Sequence, residues 1–334
     1  MLFGSIHIYY SRLLKHFVKQ GAFIYPQKKV YLKTMKYIVT HTSPDMDAIT
    51  SVWLIRKFLG GWDKAETKFV PAGDRLLPLP KNDSFEYAIE KKGGDEYVHV
   101  DTGMGSLDHH QTSDRDTCAA SLTFDFVKEG FLENEPTINK EKLQALERMV
   151  KYVVEIDHFR EVFRKDALAD YNDFSIVNIL DGLKMQKPNQ DNYYVEFVSE
   201  CLDDLLHDFE NKIWAEREIK GNSVEFNTRW GKGLGLETIN DSVVKLAQLM
   251  GYVIVVRRDP RKGYVRIKAR PDESKHEKGV NLTLAYEKLK KIDPNATWFL
   301  HVSKKMLLNG TPKNPKMKPT KLKLNDIIEV LKTI

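Results

Sequence analysis

A strand, a polar loop and a helix follow one another from Lys36, and the order recurs through the first half of the chain. The run KYIVT (36–40) is apolar and β-branched, as a buried strand requires. The loop HTSPDMD comes next. An apolar-periodic stretch from about Ala48 to Leu59 then reads as a helix, stopped by Gly60-Gly61. AETKFVPAGD reads as a second strand. DEYVHVDTG reads as a third, ending at Asp101 and a glycine turn. CAASLTFDFVKEG is expected to be a helix stopped by Gly130, and NKEKLQALERMVKYVVEIDHF a longer one carrying Asp157 in its last turns. Strands alternating with helices predict an α/β fold with a mostly parallel sheet.

In such a sheet the loops at the carboxyl ends of the strands open on one crevice. Three polar clusters stand at those places: His41, Asp45 and Asp47; Asp101; and Asp108-His109-His110. Each alone has a plainer reading. Asp45 caps the next helix, Asp101 is a turn residue, and Asp108-His109-His110 is a solvated loop. Gathered at one crevice, unpaired carboxylates would repel, and a bound cation would remove the repulsion. Mixed His and Asp donors suit a divalent ion such as Mn2+, and carboxylates can bridge two ions ~3.5–4 Å apart. The helix opening near Thr117-Cys118-Ala119 would aim backbone N–H groups at the same crevice and so suit an anion; it is equally well a packing helix.

The segments HTSPDMDAITS, VDTG and LDHHQT resemble motifs one to three of the DHH phosphoesterase superfamily, over about residues 36 to 125. Motif one resembles the RecJ-like form. DHHQ, IDHF and the late WFLHVSKKMLLNGT resemble the Myg-type branch, which resembles a 3′–5′ exoribonuclease. The superfamily's GGGH signature is missing; His301 and Asn309-Gly310-Thr311 stand near its expected place. The resemblance implies a two-metal hydrolase of phosphoesters, with Mn2+ as the first expectation and Mg2+ or Co2+ as alternatives. It implies that His41 and Asp45 hold one ion, that Asp47 and His109 hold the other, and that Asp101 and Asp157 bridge or complete both. His110 would face the scissile phosphate, and Asp108 would orient its neighbours. The corresponding boundaries are an N-terminal extension (1–34), a DHH-type catalytic domain (35–165), a helical connector (166–220) and a smaller α+β substrate-binding domain (221–334).

In that last domain YVRIKAR alternates, with Tyr264, Arg266, Lys268 and Arg270 on one strand face and Val265, Ile267 and Ala269 on the other. Arg266 and Arg270, with His301, Lys304, Lys305, Asn309 and Gly310, are the candidate substrate contacts; the plain reading of the strand is a solvated face. GKGLG at 231–235 lacks the Lys-Ser/Thr of a P-loop and reads as a turn. The Lys- and Pro-rich NGTPKNPKMKPTKLK could form a phosphate-binding rim.

The chain has 334 residues, 42% hydrophobic and 30% charged, with a formal net charge of +5. That composition belongs to globular domains, and no run approaches the ~18 apolar residues of a membrane span. Two cysteines, Cys118 and Cys201, give no disulfide framework, so a cytoplasmic location is expected. Residues 1–44 contain no acid but seven Lys or Arg, and His301–Leu324 no acid but seven lysines. The first 34 residues read as an organelle targeting segment, a helical extension or an upstream start codon before Met35. Three functions follow: a nuclease or oligonucleotide phosphodiesterase acting on short single strands, such as an exonuclease; a hydrolase of a small phosphate ester or anhydride such as a cyclic dinucleotide or pyrophosphate; and a catalytically silent DHH-fold binding protein.

Overall fold

The computed structural model describes residues 34–79, 85–134, 140–273 and 279–334, so the N-terminal extension lies outside the described residues save for Thr34. Strand β1 (Lys36–His41) has Ile38, Val39 and Thr40 fully buried and pairs in parallel with β2 (Glu66–Val70) and β4 (Asp95–His99). A short strand β3 (Glu90–Lys92) adds antiparallel to β4, giving the order β2-β1-β4-β3. The expected mostly parallel sheet is therefore mixed, because a two-residue turn at Gly93-Gly94, both at positive φ, folds β3 back on β4.

Helix α1 (Met46–Phe58) begins where Asp45 accepts the amides of Asp47 and Ala48, both at 3.0 Å. Residues 46 to 55 are all buried, which fits a helix enclosed by β1, α2 (Ala119–Asn134), α3 (Lys140–Asp157) and α5 (Asp191–Asn222). Gly130 does not stop α2, which runs on to Asn134. A helical glycine costs about 1 kcal/mol against alanine, less than burial of Cys118, Ala120, Phe124 and Val127 in the core offsets. In α3 the buried set Ala145, Leu146, Met149, Val150, Val153 and Val154 repeats at helical spacing, so packing fixes the end that carries Asp157. Two 3-10 turns (Arg160–Phe163 and Asp170–Asp173) and α4 (Ile176–Gln186) lead into α5.

The second sheet has the order β5-β6-β7-β8-β10-β9, from β5 (Val224–Thr228), β6 (Gly231–Glu237), β7 (Ile254–Arg258), β8 (Val265–Ala269), β9 (Trp298–Leu300) and β10 (Met306–Asn309). Only its β6–β7 pairing is parallel. GKGLG is strand rather than turn. A Cβ at Gly233 would lie 2.5 Å from the Phe226 ring, so glycine there lets β5 pack on β6. One sheet face carries Ile254, Val256 and Ile267, covered by α7 (Thr283–Ile292) and α8 (Leu324–Lys332). The other carries Leu234, Leu236 and Val255, covered by α6 (Ser242–Leu249) and by Ala215 and Ile219 of α5. The same α5 supplies Tyr194, Val195, Val198, Leu202, Leu206 and Ile213 to the first core. No helix of the described residues is long and apolar enough to cross a membrane.

Candidate metal centre

Two loops and one helix end meet beyond the carboxyl ends of β1 and β4. His41 closes β1, Asp101 follows β4, Asp108-His109-His110 lies in the loop before α2, and Asp157-His158 ends α3. Asp101 takes the left-handed backbone region, φ 52°, which Asp adopts more readily than most residues and which recurs at functional sites. The following turn is braced from outside. Arg75 lies so close under Gly103 that a Cβ there would come within 2.1 Å of its Cγ, and Arg75 Nη1 donates to the Gly103 carbonyl at 3.1 Å. Arg75 is paired in turn with Glu90, and Glu90 with His99 Nδ1 at 2.8 Å, all three buried or nearly so.

The ligand atoms form three overlapping sets, each with its atoms within 4.8 Å of one another: His41, Asp45 and Asp101; Asp101, His109 and His110; His109, Asp157 and His158. Asp101 and His109 each belong to two sets. His109 Nε2 lies 3.6 Å from Asp47 Oδ2, 3.8 Å from Asp101 Oδ1 and 3.6 Å from Asp157 Oδ2. Asp101 Oδ1 is buried and has no hydrogen-bond partner. Burial and neighbouring negative charge push the carboxyls of Asp47, Asp101 and Asp157 above the usual carboxylate range.

His41 Nδ1 donates to the Thr42 carbonyl at 2.9 Å, which leaves Nε2 as the coordinating nitrogen; it points at Asp101 Oδ2, 3.2 Å away. Burial lowers the His41 pKa, but the Asp101 hydrogen bond and the carbonyl and carboxylates around the ring outweigh it and hold the group at about 9. His110 is anchored by Asp108, whose Oδ1 takes His110 Nδ1 at 2.7 Å and whose Oδ2 takes the Met104 amide at 2.7 Å. Burial opposes charge on His110, yet the Asp108 contact raises its pKa overall. With Nδ1 engaged, Nε2 is the nitrogen left to meet a ligand.

Asp47, whose Oδ2 lies 3.6 Å from His109 Nε2, has a second role. Its two oxygens accept the amides of Ala119 and Ala120, each at 2.7 Å, so it closes the N-terminus of α2. That end of α2 is thus spent on the protein's own carboxylate and is not free for a substrate anion. Asp45 meets both of its readings: Oδ1 caps α1, and the carboxylate still belongs to the set with His41 and Asp101. His158, which the sequence reading passed over, joins Asp157 at 3.8 Å and bonds to the Thr117 carbonyl at 3.0 Å. Its signal was present in the sequence, since it is the histidine of IDHF.

The other expected contacts lie in the second sheet's domain, in bonds of their own. Arg266 is paired with Asp241, as is Arg257, its neighbour across the β7–β8 ladder. Asn309 is fully buried; its Nδ2 donates to the Thr297 and Lys318 carbonyls, and its Oδ1 accepts the Thr320 amide at 2.6 Å. Asn309 therefore ties the Lys-rich segment to β10 rather than meeting a ligand. Gly310 packs under the Tyr264 ring, where a Cβ would come within 2.1 Å of it. His301 Nδ1 bonds with Ser303, and Lys305 with Asp272. Exposed Arg270 and Lys304 border two adjoining cavities of about 290 and 580 Å3 that share Arg229, Trp230, Asp272, Gly279 and Val280.

No protein-family model matches the chain, and no curated protein matches it. Among solved structures the chain is similar to the pGpG-specific phosphodiesterase PggH from Vibrio cholerae, at 11% sequence identity and a TM-score of 0.21, over 84% of this chain and 94% of that one. A likeness that distant leaves the chemistry to be argued from the residues themselves.

Proposed function

We propose that the chain is a divalent-cation-dependent hydrolase of phosphoester bonds, with an oligonucleotide or dinucleotide phosphodiester as its substrate. Asp101 carries this reading: a buried carboxylate oxygen without a hydrogen bond, shared by two neighbouring His/Asp sets, is what a coordinated cation would complete. His41, Asp45 and Asp101 would hold one ion, and Asp101, His109 and Asp157 a second, with His158 beside it. Bound there, Mn2+, or Mg2+ or Co2+ in its stead, supplies positive charge for phosphoryl oxygens and lowers the pKa of a bound water.

The chain's own side chains do the rest. Asp108 fixes the His110 ring and favours its protonated form, so His110 can donate to a phosphoryl oxygen or to the leaving oxygen. The Thr42 carbonyl holds His41 in the tautomer that presents Nε2. Asp47 ties α1 to α2 and keeps the His109 side of the site in register. The motif resemblance to DHH phosphoesterases agrees with these roles, apart from that of Asp47.

A panel of short RNA, short DNA, cyclic dinucleotides and pyrophosphate, each with Mn2+ and with chelator, tests the reading. Hydrolysis of a phosphodiester that chelator abolishes and Asp101→Asn removes is the expected result. Full turnover in EDTA would sink it. Turnover of pyrophosphate alone would favour the small-anhydride alternative, and binding without turnover a silent member of the fold.

A further inference from the structure

Between His158, just past α3, and the start of α4 the chain runs for seventeen residues, 159–175, through two 3-10 turns with no buried residue in either. This strap carries large apolar side chains that stand exposed: Phe163 is 84% exposed, Leu168 100% and Phe174 92%, with Phe159 and Tyr171 also exposed. A monomeric surface rarely leaves so many together without a use for them.

The start of the strap is fastened beside the candidate metal centre, and the helices it leads into hold the motif-one loop. It starts directly after Asp157-His158, and Arg160 bonds to Glu155 and to Asp116 of the loop before α2. At the other end α4 and α5 hold the loop of motif one: Lys184 Nζ donates to the Ser43 carbonyl, and the Ser43 amide donates to Asp191, both at 3.1 Å. The strap thus leaves the centre at Asp157-His158, and α4, which it enters, holds the motif-one loop through Lys184. The strap's charge says which part of a bound molecule it suits. Arg160, Arg164 and Lys165 stand against Glu161, Asp166, Asp170 and Asp173, an excess of one acid. Arg160 is already paired, and Arg164 lies over the Tyr152 ring and bonds its hydroxyl. Such a surface does not grip a phosphate backbone. It offers flat apolar contact to uncharged rings.

We propose that the strap 159–175 is a stacking wall for nucleobases next to the scissile phosphate, with Phe163 and Phe174 as its principal contacts. This rests on the phosphodiester reading above and adds to it the site that selects base-bearing substrates. Base–aromatic stacking of ordinary strength corresponds to roughly tenfold or more per base.

The test compares a dinucleotide with its abasic counterpart, which keeps the phosphodiester and loses the rings. The wild-type chain with Mn2+ is expected to favour the dinucleotide at least tenfold in kcat/KM. The double variant Phe163→Ala, Phe174→Ala is expected to bring that ratio near one, and Phe174→Trp to keep it. A ratio near one in the wild type, or an unchanged ratio in the double variant, overturns the proposal. If neither compound is hydrolysed, the phosphodiester reading fails, and quenching of a 2-aminopurine dinucleotide decides the wall separately: quenching lost in the double variant supports it, and no quenching in the wild type overturns it. Sedimentation is run in parallel. A wild-type dimer that the double variant turns into a monomer marks the patch as a protein interface and likewise overturns the proposal.

Discussion

Asp101 is the residue on which the centre turns, and it is held at a cost. Burial and the neighbouring carboxylates disfavour its ionised form. Asp101→Asn is therefore expected to raise the melting temperature of the metal-free protein at pH 7 while removing the stabilisation by Mn2+. For the wild type that stabilisation is about 2.7 kcal/mol at a hundred times Kd, and thermal melts with and without EDTA measure both effects. The pH dependence has one sign throughout the centre. His41 has a folded pKa of about 9 against 6.5 for the free side chain, so its contribution is complete below 6.5 and is lost as pH rises through 9. Asp47, Asp101 and Asp157 are also raised, so their contributions are present in acid and are lost once pH climbs above the ordinary carboxylate range. Urea midpoints taken in EDTA should fall between pH 6.5 and 9. Added Mn2+ should flatten that fall, because the cation replaces the protons. A midpoint that rises with pH in EDTA would contradict this assignment.

Elements place these residues, and some of that placement was legible in the sequence. A β-branched run ending in His41 could only be a strand delivering that histidine to a loop, and the helical spacing in α3 put Asp157 at a packed end. Asp47 was less legible: nothing in HTSPDMD says that its carboxylate meets the amides of Ala119 and Ala120, 72 and 73 positions on. The same holds for Arg266 and Asn309, whose partners Asp241 and Lys318 come from other elements. Alternation foresaw which face of β8 is apolar but not what its polar face binds. The Arg75 brace was invisible for that reason too. Arg75→Ala leaves Glu90 buried with only His99 beside it and is expected to cost about 3 kcal/mol, while Gly103→Ala drives a Cβ into Arg75 at φ 79° and is expected to cost about 1–3 kcal/mol. Both should weaken Mn2+ affinity more than the exposed change Arg270→Ala, as urea melts and metal titration can show.

At the scale of the whole molecule, α5 belongs to two cores at once. Its 32 residues span ~48 Å. Proline at exposed Lys212, close to where α5 passes from the first core to the second, should cost about 3 kcal/mol and lower the stability of both sheets together. Fluorescence from Trp62 in the first core and Trp298 on the far face of the second sheet, read in single-tryptophan variants, should then trace one superimposable urea transition; two separate transitions would show that the first core and the second sheet unfold independently. The helix also has a mechanical consequence. It begins at Asp191, which holds the Ser43 amide of the motif-one loop at 3.1 Å, and its far end lies beneath β6. It is a lever with the motif-one loop at its tip. A tilt of about 5° at one end of a ~48 Å rod carries the other by about 4 Å, farther than a hydrogen bond can stretch. Whatever tips the second sheet must therefore either drag the His41–Asp45 loop with it or let go of Ser43.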